Sequence, residues 1–168
     1  MKVLIISADN FEDTELLVPL YRLQEEGVAV DLASLQRGTI KGKHGYEAEA
    51  NIAVDEIEPE QYDALLLPGG KAPAALRDEP AVQKAVHHFF SDDKPVAAIC
   101  HGPQILASAG VLEGRRATCY RSVAPELKES QALYENKAVV VDGNLITSRE
   151  PADLPYFMRE FLSQLKRA

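Results

Sequence analysis

Short apolar runs alternate along this chain with segments in which apolar residues return every three or four positions. The runs predict buried strands and the periodic segments predict helices. Residues 2–7 contain Val3-Leu4-Ile5-Ile6, apolar throughout, and predict a strand covered on both faces. Residues 8–11 are a loop, and 12–26 a helix with Leu16, Leu20 and Leu23 on one face and Gly27 as its stop. A second strand covers 28–34. Gly38, Gly42 and Gly45 then punctuate a turn-rich stretch, with a hairpin involving 46–50. Residues 64–67 form a third strand ending in Pro68-Gly69-Gly70. Asp78 is expected to cap a helix that has Pro80 near its start and runs to about 92. A strand over 95–99 leads into a helix over 103–109, closed by Gly110. Strands are expected at 117–120 and 138–141. Asp142-Gly143-Asn144 turns the chain into 145–148, and 151–166 is a closing helix.

Strands that are apolar throughout and alternate with helices mean an α/β fold, a mostly parallel sheet covered on both faces. Sites in such sheets form outside the carboxyl ends of the strands. Three loops leave those ends, at 8–13, 68–72 and 100–103, so the topology draws separated residues together.

Composition narrows the function. The 168 residues predict one domain, 1–168, with a core that needs no staples. No apolar run approaches the roughly 20 residues that cross a bilayer. The first residues lack the features of a signal peptide, so the expectation is a cytoplasmic protein with no membrane partner. Two cysteines in that setting are expected to be free thiols. A net charge of −8 argues against nucleic-acid binding. No metal-ligand spacing and no phosphate-binding glycine loop is present, so neither metal nor cofactor is expected.

The chemistry concentrates in Ala97-Ala98-Ile99-Cys100-His101-Gly102-Pro103. A strand turning sharply into a helix holds the side chain at the joint clear of the backbone, as in a nucleophile elbow. The positive end of the helix is expected to lower the Cys100 thiol pKa, and His101 adds a titratable neighbour. The competing reading is inert packing, since free cysteines are among the most buried residues. Glu12 and Glu15 stand one turn apart. Glu12 suits the helix dipole, while Glu15, beside Leu16 and Leu17, is expected to face inward. A protonated Glu15 near a thiolate donates a hydrogen bond to it, and an ionised one repels it. The Gly69 and Gly70 N–H groups and that of His101 suit an oxyanion hole. Cys119, in the strand expected at 117–120, is read as packing. His44 is read as structural or at a subunit contact, and His87 and His88 as helix-surface residues.

Four motifs together resemble the ThiJ/PfpI family: Asn10-Phe11-Glu12-Asp13-Thr14-Glu15-Leu16, Leu67-Pro68-Gly69-Gly70-Lys71-Ala72-Pro73, Ala98-Ile99-Cys100-His101-Gly102-Pro103-Gln104 and Ser148-Arg149-Glu150-Pro151-Ala152-Asp153-Leu154. Lys41-Gly42-Lys43-His44-Gly45-Tyr46 adds to the match, which spans essentially the whole chain and is closest to the PfpI branch. The resemblance implies a flavodoxin-like three-layer sandwich related to class I glutamine amidotransferases. It implies Cys100 as nucleophile with His101 beside it, and Glu15 hydrogen-bonded to the sulfur. It further implies Gly70 and His101 N–H groups as oxyanion donors, Tyr120 at the pocket edge, and a homo-oligomer: dimer, trimer or hexamer. One departure stands out. The PfpI branch completes a Cys-His-Glu triad with a Glu after the Pro-Gly-Gly loop, and the matching position here is Ala74.

The expected function is therefore cysteine-dependent chemistry on small reactive carbonyls, of the glutathione-independent glyoxalase or deglycase kind. An intracellular peptidase or amidase acting on peptides is the alternative. A redox-sensing stress protein or holdase is the third reading.

Overall fold

The computed structural model describes all residues 1–168. Its elements in chain order are β1 (Lys2–Ile6), α1 (Asp13–Glu25), β2 (Ala29–Ser34), β3 (Gly38–Lys41), β4 (Glu47–Ala50), β5 (Ile52–Ala53), β6 (Ala64–Leu67), α2 (Ala72–Leu76), α3 (Pro80–Ser91) and β7 (Val96–Ile99). There follow α4 (Pro103–Ala109), β8 (Arg116–Ala117), α5 (Ala124–Glu129), β9 (Leu133–Tyr134), β10 (Val139–Asp142), β11 (Leu145–Ser148) and α6 (Leu154–Arg167).

Seven strands form one sheet in the order β10-β11-β7-β6-β1-β2-β5. All neighbours are parallel except β10 and β11, the hairpin that Asp142-Gly143-Asn144 predicts. From the central β1 the chain moves outward to β2 in one direction and to β6, then β7, in the other. Right-handed crossovers then place the connecting helices on opposite faces. Helices α1 and α6 pack together on one face, and α4 packs against α2, α3 and α5 on the other. This is the mostly parallel α/β fold that the apolar pattern implies, in the flavodoxin-like form that the resemblance implies. Val3–Ile6, Ala64–Leu67 and Val96–Ile99 are wholly inaccessible, as strands covered on both faces must be. No helix is long and apolar enough to cross a membrane.

Three local expectations need correction. The strand expected at 117–120 is cut to Arg116–Ala117, which pairs with β9 outside the main sheet. The Thr118 N–H donates to the Thr147 hydroxyl and the Tyr120 N–H to the Cys100 carbonyl, so this segment is pinned across the end of the sheet. Asp78 does not cap α3. Glu79 occupies that position without a side-chain bond, and Pro80 at the first turn brings no N–H to satisfy. The closing helix begins with a 3-10 turn, Pro151–Asp153, before α6.

Candidate active site

The site assembles where the sheet order reverses direction, at the carboxyl ends of β1, β6 and β7. Strand β7 ends at Ile99 and α4 starts at Pro103, so Cys100 stands at the elbow with φ 64°. A side chain in this left-handed region costs about 1–3 kcal/mol, and the surrounding structure must impose it. It does so through the backbone. The Cys100 N–H donates to the Ser148 carbonyl at 3.0 Å, its carbonyl accepts from Tyr120 at 2.9 Å, and Gly102 donates to Ile99 at 2.8 Å. Cys100 is 7% exposed.

The β6 loop crosses beside it. The Phe11–Gly70 bridge and the Glu12 N–H donating to the Gly69 carbonyl tie this loop to the start of α1. Gly70 has φ +83°, and a Cβ there would lie 2.6 Å from the Asn10 carbonyl oxygen, so only glycine fits. The Gly70 and His101 N–H groups are directed at the Cys100 sulfur and favour its charged form.

Glu15 lies beneath, wholly inaccessible. Its Oε1 accepts from the Gly69 N–H at 3.0 Å, while Oε2 is buried with no hydrogen-bond partner. Burial first, and then the Glu12 charge, push this carboxyl up to about 8. Burial first, and then the Glu15 charge, push the Cys100 thiol up to about 12. The expectation that a helix end lowers the thiol pKa is thus overturned: burial and a neighbouring carboxyl outweigh the two backbone donors. Carboxyl and thiol titrate as one coupled pair. Burial holds both of its protons above their ordinary ranges, and the Glu15 charge makes the thiol proton the harder to lose.

His101 is half-buried. Its Nδ1 lies 3.2 Å from the Cys100 sulfur, and its ring stacks on Tyr120 at 5.1 Å between centroids. Burial and the Lys43 charge hold the imidazole below its usual pKa, so it is neutral at pH 7. No carboxylate of this chain hydrogen-bonds it. Ala74 is exposed on α2, and Glu126, whose charge is felt by His101, is instead bonded to Arg77 and Gln104.

The remaining sequence candidates separate. Glu12, expected to serve the helix dipole, precedes α1 and pairs with Lys43 at 3.0 Å and His44 at 3.2 Å. Cys119 is buried away from regular structure, and burial, then the Glu126 charge, push it up to about 12. His87 meets the Ala109 carbonyl and His88 lies near Asp92, and neither is bonded to Cys100. No group of three or more His, Cys, Asp or Glu could hold a metal ion. Lys43 and Asp13 are site neighbours that residue-level reading missed. Their signal was the Lys41-Gly42-Lys43-His44-Gly45-Tyr46 motif, a glycine-bounded loop carrying cations opposite the acidic start of α1.

Comparison with known proteins identifies relatives of this chain. The chain is 51% identical over 166 residues to "Deglycase TK1284" of Thermococcus kodakarensis, covering 99% of this chain and all of the relative. It is 49% identical over 167 residues to "Deglycase PfpI" of Pyrococcus furiosus, with 99% and 100% covered. A two-domain Anabaena variabilis protein with DJ-1/ThiJ/PfpI-like and ferritin-like domains superposes with a TM-score of 0.96 at 37% identity. That match covers 98% of this chain and 48% of the other. The DJ-1/PfpI family model matches residues 1–164, and the chain belongs to that family.

Proposed function

We propose that this chain is a cysteine-dependent deglycase that also turns over free 2-oxoaldehydes. The observation that carries the reading is the buried Glu15 carboxyl set against the Cys100 thiol, whose sulfur faces the Gly70 and His101 N–H groups. In the reactive state the proton sits on Glu15 and the charge on sulfur. The sulfur attacks the hemiaminal carbon of a glycated amine; the C–S bond forms, the C–N bond breaks, and the amine leaves with the Glu15 proton. With a free aldehyde the sulfur adds directly, and the alkoxide formed takes that proton after being held by the backbone donors.

Both routes reach the same hemithioacetal. A base, the Glu15 carboxylate or His101, removes the proton from its first carbon, a proton is returned to the second, and the hydroxyl proton on the first carbon passes to the oxygen on the second. The product is a thioester of a 2-hydroxy acid. Water cleaves it and restores the thiol. The balance is adduct plus water giving amine plus 2-hydroxy acid. The names of the relatives at about 50% identity support the deglycase part of this reading.

Peptide hydrolysis asks more of the site. Expelling an amide amine needs a well-oriented acid, and here no carboxylate orients the His101 imidazole. The test is one panel with Cys100→Ala beside the native chain. Methylglyoxal-modified acetyl-lysine and free methylglyoxal are assayed for lactate, and a peptide for cleavage. Lactate from both carbonyl substrates, lost in Cys100→Ala, is expected. Peptide cleavage without lactate overturns the reading, and neither product leaves the redox role. The homo-oligomer implied by the resemblance belongs to the same proposal. Light scattering that finds a monomer at every working concentration removes it.

A further inference from the structure

The loop over 42–46 belongs to none of the strands that build the elbow, yet it carries a cation into the site. Lys43 Nζ lies 3.0 Å from Glu12 Oε2, and its charge acts on Glu15, Cys100 and His101 alike. An exposed lysine on a turn would ordinarily wander, because its four-carbon stem is flexible. Here the turn is tied down from inside. Asp13, 3% exposed, directs one carboxylate oxygen to the His44 N–H at 2.9 Å and the other to the Tyr46 N–H at 3.0 Å. The Lys43 N–H donates to the Phe11 carbonyl at 2.9 Å, and the Gly42 N–H to the Tyr46 carbonyl at 2.7 Å. Gly42 packs directly on the Asp13 carboxylate: a Cβ there would lie 2.6 Å from Oδ2. Both carboxylate oxygens are therefore spent on the turn that bears Lys43.

We infer that Asp13 is a positioning residue that fixes Lys43 against Glu12, where the ammonium moderates the carboxylate that opposes ionisation of the Cys100–Glu15 pair. The inference rests on the cysteine-dependent reading above. The ionisable groups around the pair are Glu12 from the start of α1, Lys43 from the loop and His101 from the elbow. His44 lies across Glu12, and Glu126 acts on His101 from α5. Glu12 opposes ionisation of Glu15, and Lys43 offsets part of that opposition. Without Lys43 the Glu12 carboxylate keeps only His44 beside it and faces a Cys100–Glu15 pair that must give up one proton to react.

The test follows the iodoacetamide alkylation rate of Cys100 against pH, read by mass spectrometry. Lys43→Met should move the rate midpoint up by about half to one pH unit, so that labelling at neutral pH slows by about 3- to 10-fold. Lys43→Arg should restore most of the native profile. Asp13→Asn retains size but loses one of the two oxygen acceptors, and should shift the profile in the same direction. Gly42→Ala displaces the turn by a separate route and covers an Asp13→Asn chain that does not fold. Combining either with Lys43→Met should add little, since all act through one ammonium. A Lys43→Met profile that superimposes on the native one overturns the inference. So does an Asp13→Asn or Gly42→Ala shift of equal size with and without Lys43. Alkylation needs no substrate. A shifted profile in a protein that makes no lactate sinks the deglycase reading and keeps this one, and lactate formation with an unshifted profile does the reverse.

Discussion

The first turn of α1 has two sides, and a carboxylate is buried on each. Asp13 faces the 42–46 loop and Glu15 faces the elbow; they are 3% and 0% exposed. Burial raises both carboxyls. At Asp13 that rise is outweighed by the His44 and Tyr46 N–H groups, and the group ends below its usual range. At Glu15 a single N–H, from Gly69, meets one oxygen, the other has no partner, and the group ends near 8. The same helix turn thus holds a permanent anion on one side and a proton store on the other. Both are closed to solvent, but Glu15 sits deep in the core beside the Glu12 charge with one donor, while Asp13 lies under a surface loop with two, and these differences together separate them. The anion organises a loop; the proton store serves chemistry.

Three changes should separate these sides, and the largest effect falls at the elbow. Cys100→Ser keeps the strained turn and nearly the same volume but replaces the nucleophile with a hydroxyl that does not ionise in this range. Lactate formation should fall by at least about 10³-fold, since little remains to form the covalent intermediate. Retention of a tenth of the native rate would place the chemistry elsewhere.

Glu15→Gln tests the proton store itself. It keeps a group that can accept from Gly69 but removes the titrating proton. Turnover should drop by about 10²-fold, the usual worth of a positioned acid or base. Stability offers an independent sign. The native carboxyl holds its proton up to about 8, against a reference value of 4.5. Between those values the folded state binds more protons than the unfolded one, so its advantage is full below pH 4.5 and fades as pH rises towards 8. Denaturant midpoints of Glu15→Gln should therefore lose less than those of the native chain between pH 5 and pH 8. Parallel curves would refute the assignment. Asp13 carries the opposite sign. Its depressed pKa supports the fold above about pH 4 and gives that support up as acid protonates it. Asp13→Asn should cost about 1–3 kcal/mol at pH 7 by leaving a loop N–H unsatisfied, and this deficit should shrink as the pH falls below 4.

Much of this was legible in the chain. Val3-Leu4-Ile5-Ile6, Ala64–Leu67 and Val96–Ile99 are apolar at every position, and only a sheet covered on both faces accepts such strands. The elbow followed from a strand meeting Gly102-Pro103, and the inward face of Glu15 from its apolar neighbours. Two things escaped. The direction of the Cys100 shift depends on a balance between burial, one carboxyl and two backbone donors, none of which has a sequence signature. Asp13 looked like one more acid in a first helical turn, where acids serve the dipole. Its partners lie about 30 residues later, and only the folded loop brings their N–H groups to it. The failed strand at 117–120 has the same origin: the Thr147 hydroxyl and the Cys100 carbonyl claimed its N–H groups.

The smallest effect is expected at Cys119, which puts the same distinction to a thiol. Both cysteines are buried, and both are pushed up to about 12. Two backbone N–H groups favour the Cys100 anion, whereas at Cys119 burial is joined only by the Glu126 charge, which opposes ionisation. A thiol can therefore be as deep and as hard to ionise in isolation, yet lack the donors and the proton-sharing carboxyl that make its neighbour usable. Mild iodoacetamide treatment should label Cys100 well before Cys119. Cys119→Ala should leave lactate formation within about twofold of native and cost about 1 kcal/mol of stability, as loss of one small buried group does. Cys119 labelled first would show that burial and donors had been weighed wrongly, and the assignment of Cys100 would fall with it.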